Sequence, residues 1–92
     1  MIKHIVLWRL KNKADVARVK QELEGMRGRI PGLLSLEVGV NFAEGSPVDV
    51  GLYTEFADRA ALEAYAEHPV HLPVKQSVGA LVADRWVLDY EA

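Results

Sequence analysis

Residues 33–56 read LLSLEVGVNFAEGSPVDVGLYTEF. From 33 to 42 apolar and polar side chains alternate. Leu34, Leu36, Val38, Val40 and Phe42 share one parity, and Ser35, Glu37, Gly39 and Asn41 the other. The alternation returns over 48–56, where Val48, Val50, Leu52, Thr54 and Phe56 stand against Asp49, Gly51, Tyr53 and Glu55. A period of two marks a strand buried on one face. AEGSP between the runs is loop chemistry, so the stretch predicts an antiparallel hairpin with one oily side.

A helix flanks the hairpin on each side. Val16, Val19, Leu23 and Met26 are spaced 3, 4, 3 and predict an amphipathic helix within 13–29. Glu22, Glu24, Lys20 and Arg27 lie off its apolar face. Gly28 and Pro31-Gly32 end it. After the hairpin, Asp58 is a good N-cap for RAALEAYAEH, because its carboxylate accepts from free first-turn amides. Pro69 lacks an N–H and forces His68 out of the α region, so that helix ends or bends there. VKQSVGAL predicts a short third helix with Val74, Val78 and Leu81 on one face. At the ends, 2–10 (IKHIVLWRL) and 82–90 (VADRWVLDY) read as strands. The order β-α-β-β-α-β predicts an α+β, ferredoxin-like domain over residues 1–92: a four-stranded antiparallel sheet with its helices on one face.

Ninety-two residues make one domain whose core alone is marginal. The chain has no cysteine, so neither disulfides nor thiolate metal sites are available to reinforce it. Half its residues are hydrophobic, which favours self-association instead. The formal charge is -2 and the basic residues form no run, which argues against nucleic-acid binding. No apolar stretch approaches the ~18–20 residues that span a bilayer. The N-terminal run has no small-residue cleavage site and reads as a strand. A cytoplasmic protein with no membrane partner is expected.

Strand one places Ile2, His4, Val6, Trp8 and Leu10 toward the helices. The opposite face carries Ile5, Leu7 and Tyr53 among Glu37, Asn41 and Glu55, and no second layer of this chain covers it. Each large side chain left wet there forgoes ~1.5–3 kcal/mol. A second copy packed sheet to sheet would cover it, so a two-fold homodimer is expected. Glu37 and Glu55 could pair with Lys3, Arg9 or Arg85 of either subunit. In strand four, alternation does not decide between Val82, Asp84, Trp86, Leu88, Tyr90 and Ala83, Arg85, Val87, Asp89 as the helix-facing set.

The chain resembles the stress-responsive A/B barrel domain (Dabb) family over nearly its whole length. The resemblance rests on KHIVLWRL, IPGLLSLEVGVN, F-AD-RAALEAYAEHPVH and DYE, and most specifically on Y-x-x-H-P-x-H. It implies a dimeric α/β barrel. Many members have no assigned activity. A few plant members are polyketide cyclases that close a linear chain by aldol chemistry without metal or organic cofactor. Their pocket lies between helices and sheet. Matched to that motif, Tyr65 and His71 take the acid–base roles, His4 matches the first-strand histidine and Asp89 the last-strand aspartate. The strand-three histidine of the cyclases is absent from VGLYTEF, so this pocket is not a copy of theirs.

Two functions are weighed for each of these residues. His71 is either a proton acceptor from a carbon acid or an anchor for the loop after Pro69 through a backbone carbonyl. Tyr65 is either a donor to an enolate or helix-face packing. His4, an odd member of an apolar set, needs a buried partner, and Asp89 on the neighbouring strand is the candidate. His68 could close its helix as a cation or reach a ligand. Trp8, Val6 and Leu52 are expected to line a ligand pocket; Trp8 and Trp86 either line a pocket for an aromatic or acyl ligand or are core or dimer filler. The H-x-x-H spacing supplies two imidazoles, too few for a closed zinc site, so no metal or cofactor is expected. The alternatives are a homodimer that binds a small apolar or aromatic carbonyl compound, or is a stress-linked structural module, and a cofactor-free enzyme with cyclase-like chemistry. A cofactor-independent monooxygenase is a third alternative, by fold analogy.

Overall fold

The computed structural model describes residues 1–92. Strand β1 (Ile2–Leu10) is followed by a 3-10 turn at Lys13–Asp15 and helix α1 (Val16–Glu24). The hairpin β2 (Leu33–Val40) and β3 (Val50–Phe56) comes next, then α2 (Arg59–Ala66), α3 (His71–Gly79) and β4 (Val82–Glu91). The sheet order is β2-β3-β1-β4, every neighbouring pair antiparallel. This is the expected ferredoxin-like βαββαβ fold. Ile2, Val6, Trp8 and Leu10 of β1 and Val50, Leu52 and Phe56 of β3 are buried against Val19, Leu23 and Met26 of the first helical segment. Asp58 caps α2 as expected, its Oδ1 accepting from the Ala61 N–H at 2.8 Å.

Several boundaries differ from the sequence reading, each for a local reason. Strand β2 stops at Val40, not Phe42. The Asn41 side chain turns the chain instead, donating to the Val48 carbonyl at 2.7 Å and accepting from the Ala43 N–H at 2.9 Å. Strand β3 starts at Val50, not Val48, because the Asp49 carboxylate takes the Leu10 N–H at 2.8 Å in place of a ladder carbonyl. A register shift between Leu33 and Ser35 pushes Leu34 out of the apolar set and exposes it; Val40 at the strand end and Phe42 beyond it are exposed as well. Helix α1 is regular over Val16–Glu24 only, though Met26 still reaches the core through the following turns. Helix α3 begins at His71, three residues earlier than read, because Pro73 falls in its first turn, where a missing N–H is tolerated. Glu22, read as wet, is half-buried and accepts from Ser77 Oγ at 2.7 Å, tying α1 to α3.

The β1–β4 register settles the strand the sequence left open. His4 pairs with Asp89, Val6 with Val87 and Trp8 with Arg85, so Arg85, Val87 and Asp89 share the helix-facing side. Ile5 pairs with Leu88, Leu7 with Trp86 and Lys3 with Tyr90 on the other. Arg85 therefore does not belong with Glu37 and Glu55. Arg9 pairs with Asp84, and Tyr53 donates its hydroxyl to Glu55.

Gly32 enters β2 beneath α2 with φ +82°, and a Cβ there would lie 2.7 Å from the Ala61 Cβ. Gly28 has φ +76° but open space around it. Gly28→Ala is expected to lose about 1–2 kcal/mol from the left-handed backbone alone. Gly32→Ala adds an overpacking penalty and is expected to lose about 2–4 kcal/mol. Urea melts of the two variants measure the difference.

Candidate functional site

Helices α1 and α2 pack chiefly on β2 and β3, which leaves β4 overhanging. The gap between α2, α3 and the β1–β4 half of the sheet is a cavity of about 540 Å³. That size suits a small organic ligand. Val6, Trp8, Leu52, Leu62, Val74 and Val78 supply apolar wall, and His4, Tyr65, His71 and Asp89 reach the same space. The structure thus brings together the candidates from the sequence except His68 and Trp86, which are absent from the lining; Trp86 pairs with Leu7 on the opposite face of the sheet.

Tyr65 comes from the last turn of α2 and is 3% exposed. Its ring lies 4.2 Å from that of His71 and 6.0 Å from that of His4, centroid to centroid. Phe56 backs it at 5.1 Å. No side chain of this protein bonds the Tyr65 hydroxyl, whereas every fully buried side-chain nitrogen and oxygen has a partner. The hydroxyl therefore opens on the cavity. Burial pushes its pKa up to about 12, so at neutral pH it is a proton donor.

His71 opens α3, half-buried, with Nδ1 3.2 Å from the Ala66 carbonyl. A carbonyl only accepts, so Nδ1 carries the proton and Nε2 the lone pair. Burial lowers the pKa of the ring below its ordinary 6.5, against the opposing pull of that carbonyl bond. His71 is thus a neutral base with one nitrogen fixed. The anchoring contact weighed from the sequence is made by Nδ1, which leaves Nε2 outside that bond.

His4 is 7% exposed, and its Nδ1 meets the Asp89 carboxylate. A carboxylate accepts, so the pairing puts a proton on His4 Nδ1. Its backbone carbonyl accepts from Thr54 Oγ1 at 2.8 Å, which fixes the strand beneath. His68 differs from the sequence reading. Rather than closing α2 as a cation, its Nδ1 accepts from the Val70 N–H at 3.0 Å and its carbonyl from the Leu72 N–H at 3.0 Å. These bonds order the turn that leads into α3, whose N-cap position is Val70. No three His, Asp or Glu side chains converge as a metal-ligand set.

Two cavity cations escaped the sequence reading. Arg85 lies opposite Trp8 on β4, and Lys75 lies one turn beyond His71 on α3. The parity of Asp89 would have located Arg85 once that strand's inward side was known.

A ferredoxin-like α+β domain with a histidine–tyrosine cavity under its helices is the class these features define. The chain belongs to the stress responsive A/B barrel domain family, whose model matches residues 2–92. It is similar to a dimeric protein of unknown function and ferredoxin-like fold from Bacteroides fragilis, with 30% identity, TM-score 0.88, and 99% of this chain and 95% of that one covered. A dimeric ferredoxin-like protein of unknown function from Jannaschia is 27% identical, with TM-score 0.83 and coverage of 99% and 98%. A Dabb family protein from Mesorhizobium loti, at 24% identity and TM-score 0.85 over 99% and 95%, shares the fold. A comparison with curated proteins found no match.

The lowered His71 pKa has a stability consequence. Near pH 6.5 the unfolded chain takes a proton at this residue while the folded ring still refuses it, so stability falls as pH drops through that window. NMR titration is expected to place the His71 midpoint below 6.5. The loss of stability between pH 7 and pH 5, measured by urea melts, is expected to be smaller in His71→Gln than in the native protein.

Proposed function

We propose that this protein is a homodimer that takes a small apolar or aromatic carbonyl compound into the cavity between its helices and sheet. The observation that carries the reading is the convergence of one buried donor, Tyr65, and two imidazoles held through Nδ1, His4 and His71, in an otherwise apolar cavity of about 540 Å³. A carbonyl oxygen is the group a lone hydroxyl donor in apolar surroundings suits.

The dimer rests on the helix-free face. Leu7, Trp86, Leu88 and Tyr90 are 37–55% exposed there, with Ile5 between them, on two adjacent strands. A contiguous apolar patch of this kind marks an interaction surface. The relatives from Bacteroides fragilis and Jannaschia are dimeric. Sedimentation velocity at micromolar concentration is expected to give a dimer, and Leu88→Glu a single subunit; a monomeric native protein would remove this part of the reading. In a thermal-shift assay, an aromatic ketone such as propiophenone at 100 times its Kd should add about 2.7 kcal/mol, a rise of roughly 10–20 °C. No shift across a panel of such ketones would count against the cavity reading.

A second reading, cofactor-free catalysis, is favoured by the Tyr65–His71 stacking at 4.2 Å. His71 Nε2 would take the proton from a carbon next to the substrate carbonyl while Tyr65 donates a hydrogen bond to the enolate oxygen. The enolate carbon then attacks a second carbonyl of the same molecule, and the proton held on His71 returns to the new alkoxide. In this scheme kcat/KM rises with pH through a midpoint below 6.5 and then stays flat, since Tyr65 keeps its proton to about pH 12. His71→Ala is expected to abolish that rising limb. Tyr65→Phe is expected to lower the rate 10²–10³-fold, as loss of one oxyanion donor does, with melting within a few degrees of native. Turnover that survives both changes would eliminate this reading.

A further inference from the structure

The cavity is electrically lopsided. Its β4 floor carries Asp89 near one end and Arg85 near the other, four residues or roughly 13 Å apart. Asp89 is engaged by His4. Arg85 of β4 and Lys75 of α3, one turn beyond His71, border the cavity from two different elements, and neither forms an ion pair within the chain. The other cavity acid, Glu63 of α2, lines the space at the Asp89 end, since both also border a smaller neighbouring cleft with Tyr90 and Glu91. Arg85 nevertheless shares one cavity with Tyr65 and His71. A guanidinium that borders a cavity with apolar walls and has no acid paired to it suits an anion. The sheet-to-sheet dimer buries the other face, so it leaves Arg85 open to the cavity.

We infer that the ligand is an anionic carbonyl compound, with its carboxylate on Arg85 and Lys75 and its carbonyl beside Tyr65 and His71. Arg85 is the specificity-determining residue, because its planar fork holds both carboxylate oxygens; Lys75 adds a point charge. This rests on the cavity reading above and narrows it from neutral ketones to keto acids.

The test is calorimetric titration of the full chain with 3-benzoylpropionate, an aromatic keto acid, and with its primary amide at low salt. The acid is expected to bind at least about tenfold more tightly than the amide, the scale of one charge-assisted pair. Arg85→Gln is expected to bring the acid-to-amide ratio to within about twofold, and Arg85→Lys to restore part of it. Lys75→Gln should reduce the ratio less. Arg85 is exposed on an edge strand, so the variants are expected to fold, and their circular dichroism checks this. Equal binding of acid and amide by the native protein overturns this inference and leaves the cavity reading standing. An acid preference that persists in Arg85→Gln overturns it as well. If neither probe binds, the cavity reading fails and this inference with it.

Discussion

The register between the first and last strands is the constraint on which the rest depends. Pairing His4 with Asp89 puts Arg85, Val87 and Asp89 under the helices and Trp86, Leu88 and Tyr90 on the bare side. A slip of one residue would exchange the two sets. The cavity would then gain an indole and a phenol and lose its acid and its guanidinium, and the bare face would present charges in place of its apolar patch. One ladder therefore sets both the chemistry of the cavity and the stickiness of the opposite surface. The buried His4 ring strengthens that choice, because only the correct register gives it a carboxylate, and a buried imidazole without a partner is costly.

The two faces divide the work. On the helix side β2 and β3 are covered and dry, while β4 is left uncovered; the cavity is the space between that overhang and α2–α3. On the bare side the apolar residues cluster on β1 and β4, and the β2–β3 half carries Glu37, Tyr53 and Glu55. A subunit pairing through this face would be oily where the cavity-bearing strands lie and polar elsewhere. The strands that form the cavity floor are thus the ones a partner on this face would cover from behind.

Most of the architecture was legible because period-two alternation and helical spacing are strong in the hairpin and the first helix. What was not legible fell where a side chain stood in for backbone. Asn41 and Asp49 each took over hydrogen bonds that a strand would have made, and the hairpin shortened at both positions. Strand four was unreadable for a different reason: with both of its sides largely exposed in the single chain, neither parity is uniformly apolar. Its orientation comes from pairing, which no local pattern encodes. Of the site, Tyr65, His71, His4 and Asp89 were found through the family motif, and the cations were missed because Arg85 and Lys75 look like any solvated surface charge until the fold turns them toward the cavity.

The proline explains why a tyrosine and two histidines crowd into seven residues. In an unbroken α-helix, residues six apart sit roughly 9 Å apart along the axis and about 120° apart around it, so Tyr65 and His71 would face different ways. Pro69 follows the end of α2, His68 holds the turn into α3 through the Val70 and Leu72 amides, and the two rings meet face to tilted face at 4.2 Å. The same break frees the Ala66 carbonyl, which no longer has a helical amide to accept and takes the His71 Nδ1–H instead. The break that ends the helix thus also fixes the tautomer of His71. A continuous helix across this junction would keep every residue of the motif and lose both the pair and the bare Nε2, which makes the helix interruption, as much as the side chains it separates, the chemical content of the sequence YAEHPVH.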